Sequence, residues 1–287
     1  MANVFEVKDL RFKYPKANKD VINGISFAVK EGTIFGLLGP SGAGKSTTQR
    51  ILTKMLSNYQ GEIKFQGKDL HDYNKGFYEN VGVGFEMPVH FAKLSAQENL
   101  DYFAGLYKKN GDYNQLLTRL GLFEARKQMV GEFSKGMKVR LNFIRALIND
   151  PDVIFLDEPT AGLDPKNAKI IKDIVLELKQ AGKTIFITTH LMGDVEQLCD
   201  TVVFMKKGEI TEMNTVRDLK MKYGKKELTI EYYQDSNLEK QSFPLSDIGS
   251  NPEFIMLLKN QKIETIHSGE TTLEDIFIKV TGETKDE

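Results

Sequence analysis

The most informative stretch of the sequence is Gly39-Pro40-Ser41-Gly42-Ala43-Gly44-Lys45-Ser46-Thr47, which satisfies the pattern Gly-x-x-x-x-Gly-Lys-Ser/Thr. It follows an apolar run, Ile34 to Leu38, that predicts a strand, and it precedes apolar residues at helical spacing from Ile51 to Leu56. Strand, loop and helix in this order form the context that a phosphate-binding loop requires, which argues against an ordinary glycine-rich turn. In such a loop backbone N–H groups converge on phosphates, Lys45 reaches the outer phosphates and the Ser46 hydroxyl can bind magnesium.

Length and composition exclude several classes of protein. The 287 residues, 40% hydrophobic and 28% charged, are typical of a globular chain with one or two domains. Because Lys+Arg 39 and Asp+Glu 40 nearly balance, we expect no nucleic acid as a partner. No apolar run approaches the roughly 20 residues of a membrane helix. With Cys199 as the only cysteine, we expect a protein of the reducing cytosol that does not itself span a bilayer.

Strands and helices alternate further along the chain. Val153 to Leu156 follows the helical run Val139 to Ile148, and Thr184 to Thr188 follows the helical run Asn167 to Gln180. This alternation predicts an α/β fold with a mainly parallel sheet. The earlier stretch, Phe5 to Phe27, consists of short strands broken by turn signals and predicts an antiparallel β layer.

A helical insertion separates the first two strands of the predicted parallel sheet. Apolar spacing predicts helices over Glu98 to Tyr107, Tyr113 to Leu120 and Phe123 to Met129. We therefore expect a helical subdomain over about residues 87–150.

The character of the sequence changes after about Met213. Glu227 to Tyr233 predicts a strand and Asp235 to Gln241 a polar turn, with a helix and a further strand beyond them. We therefore divide the chain into a nucleotide-binding domain, residues 1–215, and a small α+β C-terminal accessory domain, residues 216–287.

Two carboxylates follow the strand Val153 to Leu156, at the sheet edge where α/β proteins bind ligands. Asp157 is a candidate second ligand for magnesium. Glu158 could polarise an attacking water as a general base. His190 follows the next strand, Thr184 to Thr189, and could donate to a terminal phosphate, although a structural histidine is the alternative.

With these motifs in this order, the run from about Phe5 to Met213 resembles the nucleotide-binding subunit of an ATP-binding cassette (ABC) transporter. A second fingerprint of that family, usually Leu-Ser-Gly-Gly-Gln, corresponds to Phe133-Ser134-Lys135-Gly136-Met137, which retains Ser134 and Gly136. The resemblance implies that this segment contacts ATP across a dimer interface. Lys135 replaces the first glycine, as in variants from the branch that drives two-component exporters.

The resemblance also implies the fold and further site residues. The fold is a P-loop NTPase of ABC type, with a mainly parallel sheet, an antiparallel β layer and a helical insertion. Ala161-Gly162-Leu163-Asp164 corresponds to the interface loop of the family, and Tyr14 to the aromatic residue that stacks on adenine. Phe12 competes with Tyr14 for that role because the two alternate along one strand.

The main departure from the family pattern is Glu86, where the family has a glutamine that contacts magnesium and signals to the membrane subunit. A glutamate keeps a metal-ligating oxygen, loses an amide donor and adds negative charge. At about 5 Å and an effective dielectric near 20, its repulsion with a phosphate oxygen is roughly 3 kcal/mol, which magnesium would offset. We therefore expect altered coupling or slower turnover.

Apolar and aromatic residues follow Glu86, from Met87 through Pro88 to Leu94 and then at Tyr102, Phe103 and Tyr107. They could form a groove for a helix of a partner, or they could pack the helical insertion. The sequence predicts no zinc site, because the histidines that remain, at positions 71, 90 and 267, lack metal-ligand spacing.

Taken with the resemblance, these residues predict an ATP-hydrolysing subunit that forms a homodimer, or a heterodimer with a related subunit, around two Mg-ATP. Lys45 and His190 would stabilise charge on the transferred phosphoryl group, and Ser46 with Asp157 would hold magnesium. The protein would act on the inner face of the cell membrane and drive a separate integral membrane permease. Export is favoured because the tail around Thr272 to Phe277 resembles the exporter branch.

The sequence also bears on other functions. An import subunit and a nucleotide-binding regulator with weak ATPase activity both fit the motifs. A cassette acting on ribosomes would normally carry two phosphate loops, and this sequence has one. A DNA-repair cassette would need a long coiled coil, for which the segment between Gly44 and Ser134 is too short. A small-molecule kinase would not need the Ser134 motif.

Overall fold

The computed structural model describes residues 2–15, 17–87, 89–224, 226–235, 237–269 and 271–282. They form two compact units, one up to Thr215 and one from Val216. Pro88, part of the predicted partner-binding stretch, lies outside the described residues. In the described part of the chain no helix is both long enough and apolar enough to cross a membrane.

The first unit contains two sheets and the helices around them. Its strands are β1 (Asn3–Phe12), β2 (Ile22–Lys30), β3 (Ile34–Leu38), β4 (Gln60–Phe65), β5 (Lys68–Asp69), β6 (Val81–Gly84), β7 (Val153–Asp157), β8 (Thr184–Thr188), β9 (Thr201–Lys206) and β10 (Glu209–Thr215). Its α-helices are α1 (Lys45–Leu52), α2 (Ala96–Ala104), α3 (Tyr113–Arg119), α4 (Lys135–Ala146), α5 (Pro165–Gln180) and α6 (Met192–Leu198).

The central sheet has the order β10-β9-β3-β8-β7-β6, and all its pairs are parallel except β9 with β10. Thr188 pairs with Leu37 of β3 on one side and with Asp157 of β7 on the other. The strands that precede the phosphate loop, the carboxylate pair and His190 therefore end at one edge of the sheet. The second sheet, β2-β1-β4-β5, is antiparallel. The predicted fold class is confirmed.

Buried aromatic rings join the two sheets of the first unit. Phe5 of β1 lies 5.4 Å from Phe186 of β8 between ring centroids, and Phe186 stacks on Phe155 of β7 at 4.5 Å. These rings are at most 4% exposed. Burial of apolar area at about 25 cal/mol per Å² makes this layer a main source of stability for the strands that carry the site.

The predicted helix over Phe123 to Met129 is wrong. The segment forms turns, and its carbonyls accept hydrogen bonds from the start of α2: Gln128 O from Ala96 N at 3.2 Å and Arg126 O from Gln97 N at 2.8 Å. Within the segment, the N–H groups of Arg126 and Gln128 donate to the carbonyl oxygens three residues earlier, Phe123 O at 3.2 Å and Ala125 O at 2.9 Å, which is the pattern of turns and not of an α-helix.

The second unit contains a three-stranded sheet and three α-helices among its described residues. Its elements are α7 (Val216–Tyr223), β11 (Glu227–Gln234), β12 (Asn237–Pro244), α8 (Pro252–Asn260), β13 (Lys262–Gly269) and α9 (Leu273–Thr281). The sheet is antiparallel in the order β12-β11-β13, and Ile230, Phe243 and Leu257 form a small core. The predicted turn over Asp235 to Gln241 is wrong from Asn237 onward. From Asn237 the chain forms β12, an edge strand that pairs with β11 along its whole length. Most residues of β12 are exposed, so the strand can be polar.

Candidate functional site

The loop between β3 and α1 has a backbone that only glycine adopts easily. Gly42 and Gly44 have φ of +79° and +104°, and a Cβ on Gly39 would lie 2.3 Å from the Met205 carbonyl oxygen. Gly42 has open space where a Cβ would be, with nothing within 4 Å. The loop is thus an open cradle that leads into the N-terminus of α1, an arrangement suited to phosphate groups.

Lys45, the first residue of α1, folds over this loop. Its Nζ donates to the carbonyl oxygens of Gly39 at 2.6 Å and of Pro40 at 3.0 Å. Ser46 follows it and lines a cavity that also contains Glu86 and Asp157. The structure therefore brings an ammonium group, a hydroxyl and two carboxylates to one place beside the cradle.

The Asp157 carboxyl is largely buried at the end of β7. Thr188 donates its hydroxyl to Asp157 Oδ1. Burial raises the pKa of Asp157, the charges of Glu86 and Glu158 raise it further, and the Thr188 hydrogen bond and Lys45 oppose the rise. A carboxylate in this environment is stabilised by a nearby cation.

The oxygen atoms of Ser46, Asp157 and Glu86 suit a magnesium ion that is held mainly by phosphate oxygens. Among the described residues, no group of three or more His, Cys, Asp or Glu side chains could hold a metal ion by itself. Magnesium, however, commonly binds through one or two carboxylates together with phosphate oxygens and water. The oxygens of Ser46 and Asp157, with Glu86 beside them, match that requirement.

Glu158 is held by three hydrogen bonds from the end of β8. Its Oε2 accepts from the Thr189 hydroxyl at 2.9 Å, and its Oε1 accepts from the His190 backbone N–H at 3.0 Å. Nδ1 of His190 lies 2.8 Å from the same Oε1. The backbone of Glu158 has φ +50°, and its N–H donates to Thr188 O at 2.8 Å. The carboxylate is therefore fixed in direction, with a side chain only 10% exposed.

Thr189 was not singled out by the sequence, although it is adjacent to His190. Its side chain is buried, and its hydroxyl also accepts from the Leu191 N–H at 3.0 Å. The sequence signal that could have identified Thr189 is a hydroxyl residue directly before a candidate histidine at the end of a strand.

Ser134 and Gly136 lie at the exposed start of α4. Ser134 is the N-cap residue, and its Oγ accepts from Met137 N at 3.2 Å. Lys135 extends over Gly162, where an added Cβ would lie 3.4 Å from Lys135 Cε. An added Cβ on Gly136 would lie 3.5 Å from Leu163 Cδ2. The fingerprint segment therefore packs on the 161–164 loop of its own chain and presents a helix N-terminus to solvent.

Tyr14 is better placed than Phe12 to meet a nucleotide. Phe12 is 5% exposed and belongs to the core, whereas Tyr14 is only partly buried. The Tyr14 hydroxyl lies 3.3 Å from Thr47 Oγ1, which places the ring beside the phosphate loop.

A groove of about 700 Å³ opens beside the Ser46 and Asp157 end of the site. Its wall includes Val89, Phe91, Phe103 and Tyr107, and Phe91 is 44% exposed. An exposed apolar surface of this kind is typical of a protein–protein contact.

Comparisons with known proteins agree with this geometry. Residues 22–161 match the ABC transporter family, and residues 226–270 match the C-terminal domain of fluoroquinolone efflux ABC transporters. A fluoroquinolones export ATP-binding protein of Mycobacterium tuberculosis is 45% identical over 97% of this chain and 93% of its own length. The bacitracin transport ATP-binding protein of Bacillus licheniformis is 32% identical over 98% of each chain.

Solved structures show the same likeness. The ATP-binding subunit of an ABC transporter superposes with a TM-score of 0.70 at 28% identity, over 77% of this chain and 93% of that one. An ATP-binding cassette solved as a post-hydrolysis dimer with ADP and phosphate shares the fold, with a TM-score of 0.68 at 23% identity over 74% of this chain and 99% of that one.

Fold and site together define an ATP-binding cassette, the ATPase module that couples ATP to transport. The chain belongs to the ABC transporter family, as an ATP-binding subunit of the exporter type. The resemblance inferred from the motifs is thereby confirmed.

Proposed function

We propose that two copies of this chain, or one copy and a related chain, bind two Mg-ATP at their interface and drive a separate integral membrane subunit from the inner face of the cell membrane. The observation that carries the proposal is the Glu158 carboxylate. Thr189 and His190 hold it at the sheet edge where Asp157 and the phosphate loop also end. A carboxylate fixed there can orient a water for in-line attack on a terminal phosphate.

Each neighbouring group has a role in this reaction. The backbone of the 39–44 loop cradles the phosphates, and the Tyr14 ring stacks on the base. Lys45 turns from the Gly39 and Pro40 carbonyls to the outer phosphates, and His190, whose side chain is 68% exposed, donates to the terminal phosphate. When bound, magnesium would supply charge neutralisation for the triphosphate, with Ser46, Asp157 and Glu86 as its protein contacts.

A second chain completes the site. Ser134 and Gly136 stand at the exposed N-terminus of a 12-residue helix, which favours an anion. Because this N-terminus is exposed, the Ser134 segment of one chain meets the triphosphate bound by the other.

The groove lined by Phe91 and Phe103 receives the membrane subunit. It shares Glu86 and Asp157 with the nucleotide site, so a helix seated in it touches the residues that respond to ATP. The two relatives that match this chain along almost their whole length are named for fluoroquinolone export and bacitracin transport. Their names support export of a drug-like or peptide cargo by the complex.

The dependence of ATPase activity on protein concentration tests this function. Specific activity should rise with concentration in the micromolar range, because hydrolysis requires two chains. Light scattering on Glu158→Gln should show a dimer with ATP and magnesium and a monomer with ADP. A specific activity independent of concentration, with a monomer under all conditions, would support a kinase-like monomeric NTPase instead.

A further inference from the structure

Arg145, on α4, places a largely buried positive charge in the wall of the groove. Its guanidinium lies 4.8 Å from the centroid of the Phe103 ring. Its Nη1 donates to Val89 O at 2.6 Å and its Nη2 to Asn142 Oδ1 at 2.8 Å. Burial lowers the pKa of Arg145, yet an arginine remains charged at neutral pH. The lining of the groove is therefore largely apolar and aromatic around Arg145, with charged residues also at Arg50, Glu86 and Asp157.

This cation has no counter-ion in the part of the chain that the structure describes. It donates to two uncharged oxygens, and these two bonds use two of the five N–H groups of a guanidinium. Glu86 and Asp157 line the same groove, but neither pairs with Arg145. A desolvated charge without an opposite charge is unfavourable, so the arrangement favours the arrival of an anion.

The neighbouring histidine does not compete with Arg145 for that anion. Nε2 of His90 lies 3.2 Å from the Lys138 carbonyl oxygen, while Nδ1 is buried without a partner among the described groups. Burial and the charge of Arg145 lower the pKa of His90 to about 4, so the ring is neutral at pH 7 and serves as the Nε2–H donor to Lys138. Arg50 also lines the groove, but it is exposed, so the buried positive charge of this wall is concentrated on Arg145.

The surface beside Arg145 is suited to a helix. Val89 is 80% exposed, Phe91 is 44% exposed, and both line the groove with Phe103. An amphipathic helix, about 10 Å across with its side chains, buries one apolar face in a groove of this type. If its buried face lacked an acid, docking would cover the guanidinium and leave its charge uncompensated.

We propose that the segment of the membrane subunit that docks in this groove is an amphipathic helix that brings an Asp or Glu carboxylate to Arg145, with apolar residues on Phe91 and Phe103. This inference rests on the proposed function and adds the chemistry by which the chain recognises its partner. A helix without the acid is rejected, because it would bury an unpaired cation.

Site-specific photo-crosslinking tests this pairing. The full chain, with p-benzoylphenylalanine in place of Phe91, is expressed with its membrane subunit in the native cell and irradiated. We expect the crosslinked peptide to come from an integral membrane protein and to contain Asp or Glu within one helical turn of the crosslinked residue. The same probe at Leu106, which is 62% exposed and does not line the groove, should not capture that peptide. A captured peptide without an acid, or from a protein not embedded in the membrane, would overturn the proposal.

A double-mutant cycle then measures the pair. Arg145→Gln, and the amide variant of the captured carboxylate, should each lower the affinity of the complex about tenfold, and the double variant should be no weaker than either alone. Arg140→Gln is the matched control, because Arg140 is also a partly buried arginine of α4 but donates to Leu120 O and Gly136 O, outside the groove. The loss of affinity caused by Arg140→Gln should add to the loss caused by the amide variant.

Additive effects for Arg145 itself would contradict the pairing. ATP-dependent dimerisation of the Glu158→Gln chain tests the proposed function independently of Arg145. A chain that dimerises but docks a helix without an acid leaves the proposed function intact and removes only this inference.

Discussion

Nδ1 of His190 lies 2.8 Å from Oε1 of Glu158, although the two residues are 32 positions apart. The contact exists because β7 and β8 are parallel neighbours whose ends are in register, with Asp157 opposite Thr188. The proposed base for water and the proposed donor to phosphate thereby lie at the same edge of the sheet.

Glu158→Gln should bind ATP and hydrolyse it very slowly. The amide keeps the size of the side chain but cannot take a proton from water, so we expect turnover to fall by about 10² to 10⁴. ATP hydrolysis and nucleotide affinity are measured on the same preparation. Near-normal turnover would show that the base assignment is wrong.

Thr189→Val should slow hydrolysis less than Glu158→Gln does. Valine fills the same buried space but removes the hydroxyl that donates to Glu158 Oε2 and accepts from Leu191 N. We expect kcat to fall several-fold with little change in KM, and stability to fall by about 1–2 kcal/mol from lost hydrogen bonds. Thr189→Ser, which keeps the hydroxyl, should recover kcat. If Thr189→Ser is as slow as Thr189→Val, the hydroxyl does not position Glu158.

Ser134→Ala should prevent ATP-dependent dimerisation of the Glu158→Gln chain. Ser134 caps α4, so the substitution also costs about 1 kcal/mol of stability. Ser95→Ala is a matched control, because Ser95 caps α2 through a similar bond to Glu98 N at 3.2 Å. Light scattering should show a monomer for the Ser134 variant and a dimer for the Ser95 variant. If both variants form dimers, Ser134 does not contact the nucleotide of the other chain.

Glu86→Gln should change how ATP hydrolysis depends on magnesium and on the membrane subunit. The substitution removes a negative charge near Asp157, whose pKa the Glu86 charge raises, and near the phosphates. Because the repulsion removed is at most about 3 kcal/mol, we expect faster stimulated turnover at saturating magnesium. Losing one carboxylate should also raise the magnesium concentration needed for half-maximal activity. Unchanged rates with an unchanged magnesium requirement would contradict a role for Glu86 at this site.

The sequence predicted those parts of the site that follow a local pattern. The phosphate loop has its own glycine spacing between a strand and a helix, and Asp157, Glu158 and His190 come directly after apolar strands. Since the carboxyl ends of parallel strands meet at one edge, their proximity could be expected without coordinates.

Contacts that depend on packing between distant segments could not be predicted. The Thr189 bond to Glu158 requires the register of β7 with β8 and the left-handed backbone at Glu158. Arg145 has the sequence context of a surface helix residue. Its burial depends on a loop 56 positions earlier, where Val89 O accepts its hydrogen bond.

The two wrong secondary-structure predictions both concern segments that pair with another part of the chain. Apolar spacing over Phe123 to Met129 fits a helix, but the segment forms turns whose carbonyls pair with the start of α2. Polar composition over Asp235 to Gln241 is typical of a turn, but an edge strand also tolerates polar side chains.

His90→Gln should remove part of the acid sensitivity of the first unit. In the folded chain burial lowers the pKa of His90 to about 4, whereas an unfolded histidine titrates near 6.5. The unfolded state therefore binds a proton first as the pH falls. Stability from the neutral ring is present above pH 6.5 and is lost as the pH falls towards 4. Between pH 7 and pH 5 the loss should be about 1–2 kcal/mol.

Urea unfolding of both chains at the two pH values measures this difference. Glutamine keeps an amide donor that can reach the Lys138 carbonyl, so the variant should retain most of the stability at pH 7 and lose less at pH 5. His71→Gln is the control, because His71 is an exposed histidine of the same unit with a side chain 54% exposed. If His90→Gln shows the full wild-type loss between pH 7 and pH 5, His90 is protonated in the folded chain, and the neutral Nε2–H form beside Arg145 is wrong.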